Sequence, residues 1–293
     1  MKRRQIVTIA ALILLPVAVG FIILANSDGG GVGFQKGSQI GLVRVQGIIY
    51  DSEEYVRQLK ELREDITVAG IIVRVDSPGG AVAPSQEIYA EIIRCRNLHK
   101  PVVVSMGNVA ASGGYYIASP ATRIFANPGT LTGSIGVVFT FPQYHQLLDK
   151  LGVSIQTLTA GEFKDIGSPS RNMTSDEKKI LSELLDDTHQ QFIQDISRAR
   201  NCALDSIRAL ADGRIYTGRQ AYGLGLVDSL GGFEEAIGYL KRHLRLPEKV
   251  GIVEKAKRPT FFQSFLPQAI LKQISGFKSP LKPAGTYFLF EGL

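Results

Sequence analysis

Cysteine and histidine are scarce, at two and four residues in a chain of 293. Cys95 and Cys202 lie far apart, form no C-x-x-C pair and match no metal-ligand spacing. Metal-cluster and dithiol chemistry are therefore not expected, and no cofactor is expected. Cys95 falls in a helical pattern and is read as packing, and nothing in the sequence supports a Cys95–Cys202 disulfide. The G-x-S-x-G turn is missing, which argues against an ordinary α/β-hydrolase. No internal repeat is found. Charge spread over the body is missing too. The net charge of +6 sits at the two ends, with +3 from Lys2, Arg3 and Arg4 and +6 between Lys249 and Lys282, so the rest of the chain is at −3. A nucleic-acid face needs a basic stripe on the folded body, so no nucleic-acid partner is expected.

What is present begins with a run of 20 uncharged residues, Ile6 to Ala25, preceded by the basic flank 1–5. At about 1.5 Å per residue such a run spans a bilayer core. The positive-inside rule keeps the N-terminus in the cytoplasm and sends the remaining chain across. A cleaved signal peptide would have a shorter apolar region and a small residue three before the cut, where Ile23 stands for a cut after Ala25. The segment is read as an uncleaved single-pass anchor, followed by a polar, glycine-rich linker at 26–38.

From residue 39 to 246 apolar strands alternate with helices. Ile40–Tyr50, Ala69–Asp76, Pro101–Met106, Arg123–Ala126, Ile135–Phe139 and Ser154–Thr159 are expected as strands. Glu53–Glu64, Ser85–Asn97, Gln143–Leu151, Ser175–Asn201, Ala203–Ala211 and Glu234–His243 are expected as helices, with Thr174 and Glu177 in capping-box spacing. This order predicts an α/β domain with a largely parallel sheet covered on both faces. The basic stretch 247–293, with a helix-like patch near Ser264–Ile274, is read as an appendage.

The most informative segment is Gly107-Asn-Val-Ala-Ala-Ser-Gly-Gly-Tyr-Tyr116, between a buried strand and a helix start. A serine at such a turn presents its hydroxyl above the free N–H groups of a helix N-terminus, which can hold a developing oxyanion. Taken alone, this segment reads Ser112 as a helix N-cap, the commoner role of a serine there. Asp76-Ser-Pro-Gly-Gly80 is a second glycine turn after a strand, able to add an oxyanion donor or simply to turn the chain. A nucleophilic serine needs a base. His99, His145, His189 and His243 all lie in solvated contexts. Ser175-Asp-Glu-Lys178 has S-x-x-K spacing but sits in the charged first turn of a capped helix, which excludes the penicillin-binding type. Lys164 lies in an ordered Pro/Gly loop, where surface charge is the ordinary role of a lysine. As a base it would need its pKa of about 10.4 depressed by roughly 3 units, about 4 kcal/mol, through burial. Asp165 would oppose that by pairing with it, so it has to point elsewhere, and Arg171 is a candidate partner.

These residues carry a resemblance. The chain resembles the signal peptide peptidase A family, membrane-bound Ser/Lys peptidases of the ClpP/crotonase superfamily. The matching blocks are Asp76-Ser-Pro-Gly-Gly80, Ala110-Ala-Ser-Gly-Gly-Tyr-Tyr-Ile-Ala118, Thr132-Gly-Ser-Ile-Gly-Val137, Lys164 in Phe163-Lys-Asp-Ile-Gly-Ser-Pro-Ser-Arg171, Tyr216-Thr-Gly218, and Gly225-Leu-Val-Asp228 before Gly231-Gly232. They run in family order over some two hundred residues. The resemblance implies a ClpP/crotonase-type spiral of ββα units with one transmembrane helix before it. It implies Ser112 as nucleophile, Lys164 as general base, Ser134 orienting the lysine amine, and an oxyanion hole from the N–H groups of Gly80 and Gly113. It further implies residual signal peptides or similar apolar, membrane-proximal peptides as substrates. The catalytic domain would lie on the outer face of a bacterial cytoplasmic membrane, in a ring of about eight copies. The alternatives are a peptidase for one specific membrane protein, a silent membrane scaffold of the same fold, and a crotonase-type acyl-CoA enzyme. The first shares all these residues, the second has no reason to retain Ser112, Lys164 and Ser134, and the third needs neither the serine nor the lysine.

Overall fold

The strands form where β-branched residues run together, and both faces of the sheet they make are apolar. The computed structural model describes residues 37–256 and the backbone of 287–289. The basic flank, the membrane span, most of the linker and the helix-like patch near Ser264–Ile274 lie outside the described residues. Among the described residues, no helix is long and apolar enough to cross a membrane.

β1 (Gln39–Gln46), β2 (Val68–Ser77) and β4 (Val102–Ala111) pair in parallel at the centre. Alternate side chains point to opposite faces of a sheet. Ile40, Leu42, Ile72 and Val103 bury on one face, with Phe125 and with Ala236, Ile237 and Leu240 of α8 (Phe233–Leu244). Val43, Val45, Val73, Val75, Val104 and Met106 bury on the other. There they meet Leu59 and Leu62 of α1 (Glu53–Glu64) and Ile88 and Ile92 of α2 (Val82–Asn97). Parallel strands buried on both faces require this composition, because the crossover helices cover them.

β4 divides its free edge between two partners. Its first half pairs with β5 (Arg123–Ala126) and its last residues with β6 (Leu131–Gly133), both in parallel. β7 (Ile215–Thr217) runs antiparallel to β6 and β8 (Ser229–Leu230) parallel to β5. At the far edge β9 (Gly251–Glu254) lies parallel to β1. The sequence reading begins an appendage at 247, whereas the sheet continues to Glu254. The short β3 (Gly79–Ala81) pairs with β10 (Tyr287–Leu289) in a separate two-stranded sheet.

Two expected strands do not form. Ile135–Phe139 has no more than a single β-bridge at Val138, and Ser154–Thr159 is without strand structure and fully exposed. Alternation alone does not make a strand without an edge to pair with. Around them sits α4 (His145–Lys150), shorter than the expected Gln143–Leu151. α5 (Ser175–Arg200), α6 (Leu204–Leu210) and α7 (Gly218–Gly223) complete the helices beyond α3, described below.

Candidate active site

The end of β4 carries Ser112 and Gly113, with Ser134 just beyond the paired end of β6. Val109, Ala110 and Ala111 pair with Leu131, Thr132 and Gly133 of β6, and on the other side Ala110 pairs with Ser77 of β2. Ser112 and Ser134 each follow the last matched pair, Ala111 and Gly133, so the parallel register sets them side by side. The Ser112 amide donates to the Gly133 carbonyl at 2.8 Å, and the Ser134 amide to the Arg214 carbonyl at 2.8 Å. Both serines have positive φ, 53° and 51°.

Ser112 opens α3 (Gly113–Ala118), whose six residues are all buried. It stands at the N-cap position, yet its side chain makes no capping bond. Its φ and ψ of 53° and −117° are those of a glycine turn position. A non-glycine residue held there costs about 1–3 kcal/mol of local strain. The residue has no exposed surface, and its Oγ has no hydrogen-bond partner among the described residues. An N-cap serine would satisfy the helix and itself, so the capping reading fails on this geometry. The strand delivers a strained, buried, uncommitted hydroxyl.

The glycines around it are required by close approach. A Cβ on Gly114 would sit 2.6 Å from the Ser77 carbonyl oxygen, which shows how tightly α3 lies on the end of β2. β3 follows at once and also packs on α3. Within β3, the Ala81 amide donates to the Ile49 carbonyl at 2.7 Å and the Gly79 carbonyl accepts from the Ile49 amide at 2.9 Å. By strand alternation the Gly80 amide then faces the opposite edge, where Phe288 is its antiparallel partner. A Cβ on Gly80 would lie 2.1 Å from the Ile49 carbonyl oxygen, which no side chain can accommodate. Gly80→Ala is therefore expected to destabilise the chain by about 3 kcal/mol, as overpacking of a closed site does. Urea unfolding of the variant checks this, and a wild-type midpoint would refute the close packing.

The surrounding motif residues act as scaffold, a role the sequence reading did not assign to them. Asp76 Oδ1 accepts the Val109 amide at 3.0 Å, beside a bulge that shifts the β2–β4 register. Ser77 Oγ accepts the Gly79 amide at 3.1 Å and so shapes the turn into β3. Thr132 Oγ1 donates to the Ala110 carbonyl at 2.7 Å. Asp228 accepts the Ile124 amide at 2.8 Å and pairs with Arg200. The one available signal was that each residue flanks a glycine turn in an ordered block.

Lys164 is placed differently. It lies in a turn whose amides close on the Gly161, Phe163 and Asp165 carbonyls, and its side chain is exposed. No bond joins it to Ser112. The expected burial of the amine is thus not provided among the described residues. Asp165 does turn away: Arg171 holds it through Nε–Oδ2 at 2.9 Å and Nη2–Oδ1 at 2.8 Å. The arm around the turn is apolar and uncovered, with Leu147, Leu151, Ile155, Leu158 and Phe163 all exposed.

Both cysteines are free, and burial pushes the Cys95 thiol up to about 12, leaving it protonated at neutral pH. Among the described residues no group of three His, Cys, Asp or Glu side chains could hold a metal ion.

Residues 94–246 match the model of Peptidase family S49. The chain is 38% identical over 217 residues to a protein of Enterococcus faecium named as a signal peptide peptidase SppA, covering 74% of this chain and 63% of that one. It is 43% identical over 200 residues to a protein of Synechocystis named as a protease, covering 68% of this chain and 72% of that one. It is also 32% identical over 229 residues to the chloroplastic serine protease SPPA of Arabidopsis thaliana, covering 77% of this chain and 34% of that one. The matched span, the serine at the strand end and these relatives agree: the chain belongs to peptidase family S49, with the signal peptide peptidase A proteins, and is a serine peptidase.

Proposed function

We propose that the chain is a membrane-anchored endopeptidase that hydrolyses apolar peptides, residual signal peptides among them, with Ser112 as nucleophile and Lys164 as general base. The observation that carries this reading is Ser112 itself: strained, fully buried and with its hydroxyl unbonded. Strain of that kind persists where the surroundings enforce it, and it gathers at reacting groups.

The chemistry runs as follows. Neutral Lys164 Nζ takes the hydroxyl proton while Ser112 Oγ bonds to the scissile carbonyl carbon. The carbonyl oxygen becomes an oxyanion, and the Gly80 and Gly113 amides donate to it. Collapse breaks the C–N bond, and the Lys164 ammonium gives its proton to the leaving amine. A water, deprotonated by Lys164, then bonds to the acyl carbon, the carbon–Oγ bond breaks, and the Lys164 ammonium returns its proton to Ser112 Oγ. Ser134, set beside Ser112 by the register, would orient the lysine amine.

Lys164 is exposed and Ser112 is not, so one more element has to bring them together and exclude water. Assembly into a homo-oligomeric ring meets both needs. The uncovered apolar arm around Lys164 is the surface that a neighbouring copy would bury. The fold, read as a spiral of ββα units, and the 20-residue apolar run at Ile6–Ala25 fit this arrangement at the outer face of a bacterial cytoplasmic membrane.

Peptide binding follows from the edge of β3. An extended peptide adds to such an edge by main-chain bonds, with little demand on its sequence. The chain's own β10 lies there, antiparallel, with Phe288 opposite Gly80. An incoming peptide on this edge has to displace it. A chain ending at Thr286 is therefore expected to show a lower KM for a short apolar peptide, measured by steady-state kinetics, and an unchanged KM would remove this edge from the account. The function as a whole is tested by cleavage of an apolar peptide by purified wild type, Ser112→Ala and Lys164→Ala. Both variants are expected to be folded and inactive, and activity in either overturns the dyad.

A further inference from the structure

One side chain governs where the charges around Lys164 point. Arg171 engages Asp165 with two parallel bonds, and its Nη1 donates to Glu177 Oε2 at 2.9 Å. Glu177 is buried and belongs to the capping box of α5. Its Oε2 accepts the Thr174 amide at 2.8 Å, and its own amide donates to Thr174 Oγ1 at 3.2 Å. Asp165, the chain neighbour of Lys164, is thereby tied to the first turn of a 26-residue helix. Arg171 holds the Asp165 carboxyl below its usual range, and Arg171 with the Thr174 amide holds Glu177 at about 2, so both carboxylates are charged at any working pH.

We propose that Arg171 is a positioning residue that keeps the Asp165 carboxylate off the Lys164 amine and so leaves the lysine able to lose its proton. This rests on Lys164 acting as the base. Among the described residues, the charged and titratable groups of the turn and of the elements joined to it are Glu162 and Asp165 on the turn itself, Arg171 on the loop that follows, Asp176, Glu177 and Lys178 on the first turn of α5, and His145, Asp149 and Lys150 on α4, whose N-cap residue Tyr144 donates its amide to the Pro169 carbonyl. Glu177 is committed to the cap and to Arg171. With Arg171 removed, Asp165 loses its bidentate partner, and Lys164 is the adjacent cation. A carboxylate within about 4–6 Å favours a charged amine and raises its pKa by about one unit or more. The lysine would then stay protonated where the enzyme needs it neutral. Arg171 also places a positive charge near the turn, which acts in the same useful direction.

The test compares wild type, Arg171→Ala, Arg171→Ala with Asp165→Asn, Arg171→Gln and Lys164→Ala. Two readouts are followed across pH. One is kcat on an apolar peptide. The other is the rate at which acetic anhydride acetylates Lys164, read by peptide mass spectrometry, which does not depend on catalysis. Arg171→Ala is expected to move the rising limb of both profiles to higher pH by about one unit or more. Adding Asp165→Asn is expected to return both to the wild-type position. If Arg171→Ala loses its fold, Arg171→Gln carries the same expectation, since it keeps a polar side chain of intermediate length without the charge. A merely structural arginine would lower kcat or stability and leave both limbs in place, and that outcome overturns the proposal, as does failure of Asp165→Asn to restore the profile. Full activity in Lys164→Ala would instead sink the dyad, while the acetylation profiles would still report whether Arg171 controls the lysine.

Discussion

Ser112→Ala is expected to abolish peptide cleavage, by about 10⁴-fold or more, and at the same time to leave a more stable protein. The two effects have one origin. The wild-type hydroxyl is buried without a partner, and an unsatisfied buried polar group costs about 1–3 kcal/mol. Alanine removes that group and keeps the backbone strain. Ser112→Gly should stabilise further, because glycine adopts φ near 53° without the Cβ clash. In a folded body of this size each kcal/mol moves the melting temperature by about 2–4 °C. Thermal unfolding beside the kinetic assay separates the outcomes. A Ser112→Ala protein less stable than wild type would mean that the hydroxyl is structurally engaged, against the geometry of the strand end.

Lys164→Ala carries the second large expectation. Activity should fall by about 10³-fold or more, with stability unchanged within about 0.5 kcal/mol, because the side chain is exposed. The wild-type rate should rise with pH, since only the neutral amine can accept the Ser112 proton and protons leave it as pH increases. Protein concentration should matter as well. If a neighbouring copy covers the arm around Lys164, activity per subunit should grow with concentration until assembly is complete. Dilution series read by analytical ultracentrifugation and activity together would show this. A constant specific activity with a monomeric chain throughout would leave the exposed lysine without the shelter that its role demands.

Much of this was legible in the sequence where local rules suffice. Glu53–Glu64 was read to its observed ends, because an acidic first turn and one apolar stripe define such a helix. The capping box at Thr174 and Glu177 formed as its spacing required. The turning away of Asp165, required if Lys164 is to act as a base, is met by its pairing with Arg171. What escaped was non-local. From the apolar run, β4 is predicted to stop at Met106. It runs to Ala111, where the Asp76 carboxylate takes the Val109 amide across the bulge. β6, β7 and β8 have three residues or fewer, too short for any period to show. Ser154–Thr159 alternates like a strand and is none, because nothing among the described residues offers it an edge. The positive φ of Ser112 could not be read from residue types, whereas the exposure of Lys164 is the ordinary reading of a loop lysine, and these two facts set the terms of the mechanism.

The central claim is that Ser112 and Lys164 act as one unit, and a double-mutant cycle tests it most directly. The kcat/KM for an apolar peptide is measured for wild type, Ser112→Ala, Lys164→Ala and the double variant, all at one pH and one protein concentration. The account predicts that each single variant loses nearly everything and that the double variant is no worse than either. Losses that multiply, or a Lys164→Ala enzyme that retains activity, would contradict it.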